Sequence, residues 1–296
     1  MDRPVQPRDP VVTERAGAGA RGEWWLALPL AAVFAGFFLA PLGVLAVVSL
    51  FAEPEMVTFG LRQYRVVLGD TFNLRTLSDT LLLGAKATVL CLVLGYPLAW
   101  VTARVRPRLR ALLLFVVILP ILTSVVVRTF AWIVILGRQG VLNKAALALG
   151  LAEEPLRLLF SEVGVVVVLA QVQMPLMVLP LVTTLQKIDP NLADASLALG
   201  AGRWRTFRRV VVPLSLPGIV AGCILVYAAA ATAFITQTLI GGARLLYMPL
   251  FIYQQATGAQ NWPLAAAAAV VFMASVLLVV SLFNLLGRTR RARTYA

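Results

Sequence analysis

Two side chains that carry charge, Lys86 and Arg128, stand inside otherwise apolar runs of this 296-residue chain. Because a charge at membrane depth is costly, an ionisable residue there is by default a candidate for a solute path. We expect both residues to help line a vestibule that opens toward one side of the membrane. The alternative is that they extend to the membrane interface, or pair with an acid such as Asp79.

Uncharged polar side chains in two later apolar runs form a second candidate set. They are Gln171 and Gln173 in one run and Thr232, Thr236 and Gln237 in the other, with Trp132 of an earlier run as an aromatic surface. These residues could line a polar cavity, or each could make a hydrogen bond between neighbouring helices. The chain has no histidine, which removes the usual general base and the commonest metal ligand, so we expect neither catalysis nor a metal site.

The elements that must hold these residues are membrane helices, because the chain is too apolar for a soluble domain. Hydrophobic residues make up 60% of it and charged residues 13%, against about a quarter charged in soluble domains. The net charge of +13 could indicate nucleic-acid binding, but the basic residues fall in short clusters between apolar runs. Such clusters set membrane orientation instead. Cys91 and Cys223 lie inside apolar runs, which favours small buried side chains over a disulfide.

Runs of about 20 apolar residues, the length that a bilayer crossing requires, predict six transmembrane helices in an all-α polytopic membrane protein. The runs cover about residues 25–51, 81–103, 111–136, 163–185, 218–240 and 264–286, within a transmembrane domain of residues 24–287. Backbone groups in lipid must be paired within their own segment, so helices are the expected form. We predict a disordered tail at residues 1–23 and a basic tail at residues 288–296.

The basic residues also predict the orientation of the chain. With the amino terminus in the cytoplasm, 17 Lys and Arg residues fall on the cytoplasmic side and seven fall outside. Since positive charge is enriched in cytoplasmic loops, we expect both termini to be cytoplasmic. Residues 186–213, between the fourth and fifth spans, are then a cytoplasmic loop.

Residues 186–213 predict two short helices around a glycine turn. Asp189 suits the start of the first helix, and Gly200 suits its end. A second, amphipathic helix follows at residues 203–212, and Pro213 is expected to end it. This loop could rest on anionic lipid headgroups or simply connect two spans. A short exposed helix of small residues also suits docking into a groove of another protein.

The stretch DASLALGAGRWRTFRRVVVPLSLPG in this loop resembles the cytoplasmic signature of permease subunits of binding-protein-dependent ABC importers. That signature runs Glu-Ala-Ala, three residues, Gly-Ala, then an aromatic residue and a Leu-Pro near the next span. Asp194, Ala195 and Ser196 stand at its first three positions, with Asp in place of the usual Glu and Ser in place of the usual second Ala. Gly200 and Ala201 match its centre.

Three further stretches resemble the spermidine/putrescine-type branch of the same family, so that the likeness covers about residues 25–287. They are LSDTLLLGAKATVLCLVLGYPLAWVTAR, ILPILTSVVVRTFAWIVILGRQGVLN and QMPLMVLPLVTTLQKIDPNL. The resemblance implies the type I importer permease (MetI-like) fold, in which the loop is a coupling helix that fits a cleft on a cytoplasmic ATPase. The coupling residues that it implies are Asp194, Ala195, Ser196, Gly200, Ala201, Arg203 and Phe207.

The resemblance also implies partners for this chain. The sequence contains no G-x-x-x-x-G-K-[ST] phosphate loop, so we expect it to bind no cofactor and to be no enzyme. ATP with Mg²⁺ would be hydrolysed on a separate ABC ATPase dimer. A second homologous permease subunit and an extracytoplasmic solute-binding protein would complete an importer of the bacterial inner membrane.

The solute that the resemblance implies is a polyamine, putrescine or spermidine, or a related small organic molecule. All 13 carboxylates lie outside the apolar runs or at their ends, although a polyamine bound at mid-membrane would favour acids or an aromatic cage. Either a partner permease supplies such acids, or the pore is passive and the binding protein selects. The rival hypothesis is a self-sufficient secondary transporter or channel, for which buried coupling acids or inverted repeats would be expected.

Overall fold

The structure, a computed structural model, describes residues 24–294, except the side chains of residues 24–27, 193, 243 and 286–294. Over the described residues the chain is helical, with one isolated antiparallel bridge between Phe51 and Phe59 and no strand. The predicted all-α fold is therefore confirmed. The predicted tail at residues 1–23 lies outside the described residues.

Fourteen α-helices follow one another along the described residues. They are α1 (Trp24–Val48), α2 (Arg62–Gly69), α3 (Thr71–Arg104), α4 (Pro107–Ile118), α5 (Val125–Leu136), α6 (Val141–Ala148), α7 (Glu162–Val172), α8 (Met174–Gln186), α9 (Pro190–Ala198), α10 (Arg203–Thr206), α11 (Val212–Ala231), α12 (Phe234–Gly241), α13 (Met248–Tyr253) and α14 (Trp262–Thr294). The chain divides into two compact units, Met1–Val47 and Val48–Ala296. Helix α1 is the described part of the first, and the other helices build the second.

Five helical segments among the described residues are long and apolar enough to cross a membrane, and the number is six if one bent pair of helices counts as a single span. The five are Leu28–Val48, Thr71–Arg104, Val125–Ala148, Arg203–Ala231 and Trp262–Leu285, and the pair is Glu162–Val172 with Met174–Gln186, bent by 46°. Each overlaps one of the six predicted apolar runs. The helices thus agree with the predicted six-helix membrane fold.

The second span, α3, is longer than its apolar run because polar residues extend it. Its 34 residues measure about 51 Å at a rise of 1.5 Å per residue, against about 30 Å of hydrocarbon core. Asp70 caps the first turn, since its side chain accepts a hydrogen bond from the N–H of Phe72 at 2.9 Å. The hydroxyls of Thr76 and Thr80 donate to carbonyls one turn earlier, at 2.9 and 2.7 Å. These bonds let the helix begin well before the apolar run at residue 81.

The membrane core lies where α3, α8 and α11 pack on one another. Gly218 and Gly222 of α11 have the small-xxx-small spacing that lets membrane helices approach closely. A β-carbon added at Gly218 would lie only 2.9 Å from the carbonyl oxygen of Pro180 on α8. Cys91 and Cys223 are buried in the same core as free thiols. The sequence interpretation of these cysteines as small buried side chains agrees with this placement.

The third, fourth and fifth predicted spans are each interrupted partway along their apolar runs. A 3-10 turn at Leu119–Leu122 separates α4 from α5, Gln173 separates α7 from α8, and Thr232 with Ala233 separates α11 from α12. Prolines at or beside the first two breaks cannot donate to the helical ladder. Each of these three apolar runs predicts one span, whereas in the structure each of them contains two helices.

Candidate functional site

Helix α9 is exposed and lies in the segment between α8 and α10. The end of the bundle that carries it, where α3 ends and α11 begins, is called the α9 end. Asp189 caps the first turn of α9 through a side-chain hydrogen bond of 2.9 Å to a backbone N–H. At the other end Gly200 adopts a φ of +83°. The N–H groups of Gly200 and Ala201 donate to the carbonyls of Leu197 and Ser196 at 2.9 and 3.1 Å. These two bonds close a Schellman motif, whose left-handed residue is normally glycine.

The coupling residues implied by the family resemblance divide into an outward and an inward group. Asp194, Ala195, Gly200 and Arg203 are exposed, whereas Ser196, Ala201 and Phe207 are half-buried. The Ser196 hydroxyl lies 3.0 Å from that of Thr206 and so joins α9 to α10. Two apolar side chains that the sequence interpretation did not include, Leu199 and Trp204, are 89% and 72% exposed. Exposed apolar side chains of this size add to a surface suited to contact with another protein.

The chain does not break at Pro213, contrary to the prediction. Helix α10 passes into a π turn at Phe207–Val211, in which the N–H of Val212 donates to the carbonyl of Phe207. The wider ladder of the π turn shifts the hydrogen-bond register just before Pro213, so the helix accommodates a residue without an N–H. The second loop helix and the fifth span are consequently one continuous helical rod.

Phe207 ties this loop to α3 through an aromatic cluster. Its ring centroid lies 5.1 Å from that of Trp100 and 5.8 Å from that of Tyr96, both edge-to-face, and 5.5 Å from that of Trp204. Arg104, the last residue of α3, places its guanidinium carbon 3.1 Å from the centroid of Trp100. Each aromatic pair contributes about 0.5–1.5 kcal/mol beyond the burial of its area. The cluster therefore holds the loop against the second span.

A cavity of ≈ 570 Å³ lies where the three interrupted spans meet. It is lined by four of the predicted path residues: Arg128, Gln173, Thr232 and Thr236. The Arg128 guanidinium donates a hydrogen bond to the carbonyl of Pro120, in the interruption before α5. Since helical side chains point toward the N-terminus of their helix, Arg128 reaches into the break. It does not extend toward the end of the bundle opposite α9, which removes the alternative of interfacial placement on that side.

Three other predicted path residues make hydrogen bonds within the bundle. The indole N–H of Trp132 donates to Oε1 of Gln171 at 3.1 Å and joins α5 to α7. Gln237 is 1% exposed, and its Nε2 donates to the carbonyls of Ala230 and Ala231 at 2.8 and 3.0 Å. This amide thus bonds to the carbonyls of the last two residues of α11, beside the break. For these residues the structure favours the alternative of a hydrogen bond between or at the ends of helices.

Lys86 lies in the half of α3 that is farther from α9, 18 positions before its last residue, Arg104. Its Nζ is 2.5 Å from Oε1 of Glu162, the first residue of α7, and both line a second cavity of ≈ 510 Å³. Asp79, the partner suggested by the sequence, instead faces Arg75 at 4.0 Å. Burial, with Glu162 and Asp79 nearby, raises the pKa of the Tyr247 phenol in this cavity. Hydropathy could not indicate the Lys86–Glu162 pair, because 76 residues separate its members.

The two cavities present charged and hydrogen-bonding side chains, among them Arg128, Lys86 and Glu162. Within residues 24–294 no group of three or more His, Cys, Asp or Glu side chains could hold a metal ion. The breaks beside the larger cavity leave its walls as half-helices, which can move relative to each other more easily than unbroken spans.

Comparison with known proteins assigns these features to a family. Residues 95–292 match the family described as binding-protein-dependent transport system inner membrane component. The spermidine/putrescine transport system permease protein PotB of Haemophilus influenzae is 36% identical over 204 residues, which cover 68% of this chain and 71% of that protein. The match at residues 95–292 includes α9, the continuous rod and the cavity at the three breaks.

Solved structures share the fold. The crystal structure of a bacterial ABC transporter involved in the import of the acidic polysaccharide alginate matches with a TM-score of 0.73 at 17% identity, over 91% of this chain and 96% of that chain. A second structure, of a bacterial alginate ABC transporter in complex with an alginate pentasaccharide-bound periplasmic protein, matches with a TM-score of 0.70 at 19% identity, over 93% and 98%. With the family match and the PotB relative, the chain is therefore a multi-pass membrane transport component that belongs to the inner-membrane components of binding-protein-dependent transport systems.

Proposed function

We propose that this chain is a permease subunit of an ATP-driven ABC importer and forms half of the translocation pathway for a small solute. The observation that carries the proposal is α9, a capped and exposed helix whose following segment continues into the fifth span and is held against the second. Such a helix suits the groove of a cytoplasmic partner. ATP with Mg²⁺ would be hydrolysed on that partner, an ABC ATPase dimer, and this chain would bind no cofactor.

The continuous rod supports a path by which movement of the ATPase would reach the solute. Asp194, Ala195 and Leu199 would meet the ATPase, since all three are exposed on or beside α9. The rod of α10, the π turn and α11 leads from there to the break at Thr232, beside the cavity. Through its aromatic contacts Phe207 would make α3 move with the rod. A displacement of α9 would thus shift the walls of the cavity and change the side to which it opens.

The cavity lined by Arg128, Gln173, Thr232 and Thr236 would be part of the solute path. Lys86 and Glu162 would stand near its outer entrance, in the half of the bundle farther from α9. Trp132, Gln171 and Gln237 would shape the surrounding wall through their hydrogen bonds.

We propose a polyamine or a related small organic molecule as the solute, on the strength of the similarity to PotB, whose name gives spermidine and putrescine. The lining of the cavity offers hydrogen-bonding groups and an arginine but no carboxylate. Acids that hold a polyamine would therefore come from a second permease subunit, or selection would rest with a solute-binding protein.

We also propose that both termini and α9 face the cytoplasm of a bacterial cell. The excess of Lys and Arg in the segments on that side supports this orientation, and α9 must face the compartment that holds ATP. The end with Lys86 would then face an extracytoplasmic solute-binding protein. A transporter of the same fold has been solved in complex with a periplasmic protein.

The substitution Leu199→Asp tests whether α9 docks on an ATPase, and Leu149→Asp is its matched control. Both leucines belong to the sequence Leu-Ala-Leu-Gly, and both are the C-cap residue of a short helix. They are 89% and 72% exposed, so neither change should disturb the fold. A buried leucine contributes about 1.5–3 kcal/mol, and its replacement by a charge should weaken ATPase binding by about tenfold or more.

The measurements are co-purification of the cognate ATPase and ATP-driven solute uptake into proteoliposomes. The wild type and Leu149→Asp should retain both, whereas Leu199→Asp should lose both. Uptake by the wild-type chain in the absence of any ATPase would contradict the proposal and favour a self-sufficient transporter.

A further inference from the structure

Arg128 has no counter-ion among the described residues of this chain. Its Nε atom is buried and makes no hydrogen bond, and its guanidinium bonds to a backbone carbonyl, that of Pro120. The residues that line its cavity include no acid. Both ion pairs among the described side chains lie in the half of the bundle farther from α9, on α3 and α7. The positive charge of Arg128 is therefore uncompensated within the described part of the chain.

The carboxylates of this chain lie far from Arg128 along the bundle. Glu162 is the first residue of α7, and Gln173 directly follows the last residue of α7. Gln173 lines the same cavity as Arg128. The positions of Glu162 and Gln173 are 11 apart in the sequence, which corresponds to about 16 Å at 1.5 Å per residue. In the other direction Asp189 follows Gln173 by 16 residues, through α8, or about 24 Å. The other described carboxylates lie outside the apolar runs or at their ends, so none is at the depth of Arg128. The four acids outside the described residues precede the first span in the sequence.

A permanent neighbour compensates such a charge better than a solute does. Charged side chains inside membrane proteins normally pair with one another or face a polar cavity. A carboxylate of a solute would pair with Arg128 only while the solute is bound, and the empty transporter would hold a bare charge. A carboxylate on an assembled subunit is present in every state of the transport cycle.

The surface beside Arg128 fits a helix of another subunit. Val127, Phe130 and Val134 recur at i, i+3 and i+7 on α5, which places them on one face. They are 66%, 55% and 71% exposed. Arg128 follows Val127 directly and borders this face. An apolar helix that carries one carboxylate would cover the face and reach the guanidinium, and interhelical polar contacts of this kind stabilise membrane helix pairs.

We propose that a carboxylate in a span of the second permease subunit pairs with Arg128. A second copy could not supply the acid, because its spans would hold none at this depth. In a two-fold dimer the same face would also meet itself, which would bring two copies of Arg128 to one interface, where like charges repel. The inference rests on the proposed function, in which a second permease completes the pathway.

A charge exchange tests the pairing in the complete importer. In Arg128→Glu we expect co-purification of the second permease, and ATP-driven uptake, to fall about tenfold or more, since like charges would then face each other. Each Asp or Glu in the spans of the second permease is then changed to Arg, one at a time. One of these changes should restore assembly and uptake to Arg128→Glu while impairing the wild type. Lys86→Glu is the control, and none of the same changes should restore it.

The alternatives give different results. If Arg128→Glu assembles normally and no exchange restores its uptake, the pairing does not exist. If Arg128→Gln assembles normally but raises the concentration of solute needed for half-maximal uptake, Arg128 contacts the solute and the inference is wrong. In a chain with Cys91→Ala and Cys223→Ala, oxidation of Val127→Cys should yield no linked homodimer. Such a dimer would place a second copy of this chain, which holds no acid at this depth, at the face beside Arg128 and would contradict the pairing. An inactive wild-type complex would instead refute the proposed function.

Discussion

The close contact of α8 and α11 predicts that Gly218→Ala separates two helices of the membrane core. An added β-carbon would lie 2.6 Å from Oγ1 of Thr184 and 2.9 Å from the carbonyl oxygen of Pro180. Neither neighbour can turn away freely, because the Thr184 hydroxyl itself donates to the Pro180 carbonyl at 2.9 Å. Since carbon atoms pack best at about 3.5 Å or more, the two helices must move apart by roughly half an ångström.

The free energy of unfolding should fall by about 2 kcal/mol, the middle of the range for overpacked cores. For a chain of 296 residues that loss corresponds to a decrease in melting temperature of about 3 °C. Gly222→Ala should lose less, because the nearest atom to its added β-carbon is the thioether sulfur of Met177, at 2.7 Å on a flexible side chain. Gly36→Ala is the matched control, a glycine of a membrane helix with no atom within 4 Å of the added carbon.

The two buried cysteines provide the assay. Cys91 and Cys223 are free and lie in the core that Gly218→Ala perturbs, so a thiol-reactive fluorogenic dye reports the thermal opening of that core in detergent. Gly218→Ala should react at a lower temperature than the wild type, and Gly36→Ala at the same temperature or a higher one. Equal transitions for the two alanine variants would refute the argument that glycine is required by the close approach of α8.

Three further predictions concern the loop and the ion pair. Gly200→Val puts a β-branched residue at a φ of +83° and should destabilise the end of α9 by about 1–2 kcal/mol. Faster proteolysis of the loop and weaker ATPase binding would measure this effect. The control Gly150→Val, at a φ of +67°, should leave ATPase binding unchanged. Phe207→Ala removes the aromatic contacts to α3 and should lower the amount of solute imported per ATP hydrolysed several-fold while hydrolysis continues. Phe207→Trp should keep the wild-type ratio, and an unchanged ratio in Phe207→Ala would contradict the role of Phe207 as a link. Lys86→Ala breaks a partly exposed pair with Glu162 and should change the free energy of unfolding by less than about 1 kcal/mol, and a larger thermal shift would show that the pair holds α3 to α7.

Hydropathy predicted the candidate path residues but could not separate those that line a cavity from those that bond within the bundle. Gln173 and Gln237 both stand in apolar runs, yet Gln173 faces the cavity and Gln237 caps the end of α11. The difference depends on where the spans break, and the breaks at Gln173 and at Thr232 lie within the predicted apolar runs 163–185 and 218–240. A hydropathy window averages over such breaks, so their position emerges only when neighbouring helices satisfy the freed backbone groups.

The repeated sequence Leu-Ala-Leu-Gly separates what local sequence determines from what tertiary packing determines. It occurs at residues 147–150 and 197–200, and both copies end a short helix with a glycine of positive φ and the two hydrogen bonds of a Schellman motif. The sequence by itself determined this geometry, because the bonds span only six residues and need nothing beyond a glycine in the left-handed region.

Tertiary structure alone decided what each copy does. The first copy ends α6, beyond α5 and away from the α9 end, where the buried side chain of Asn143 bonds to the carbonyls of Gly137 and Leu156. The second ends α9, and Phe207 holds its loop against Trp100 of the second span. Contacts between residues about a hundred positions apart depend on how the spans pack, which no local pattern encodes. The same is true of Arg128, whose charge is visible in the sequence but whose place at the meeting of three broken helices is set by the packed bundle.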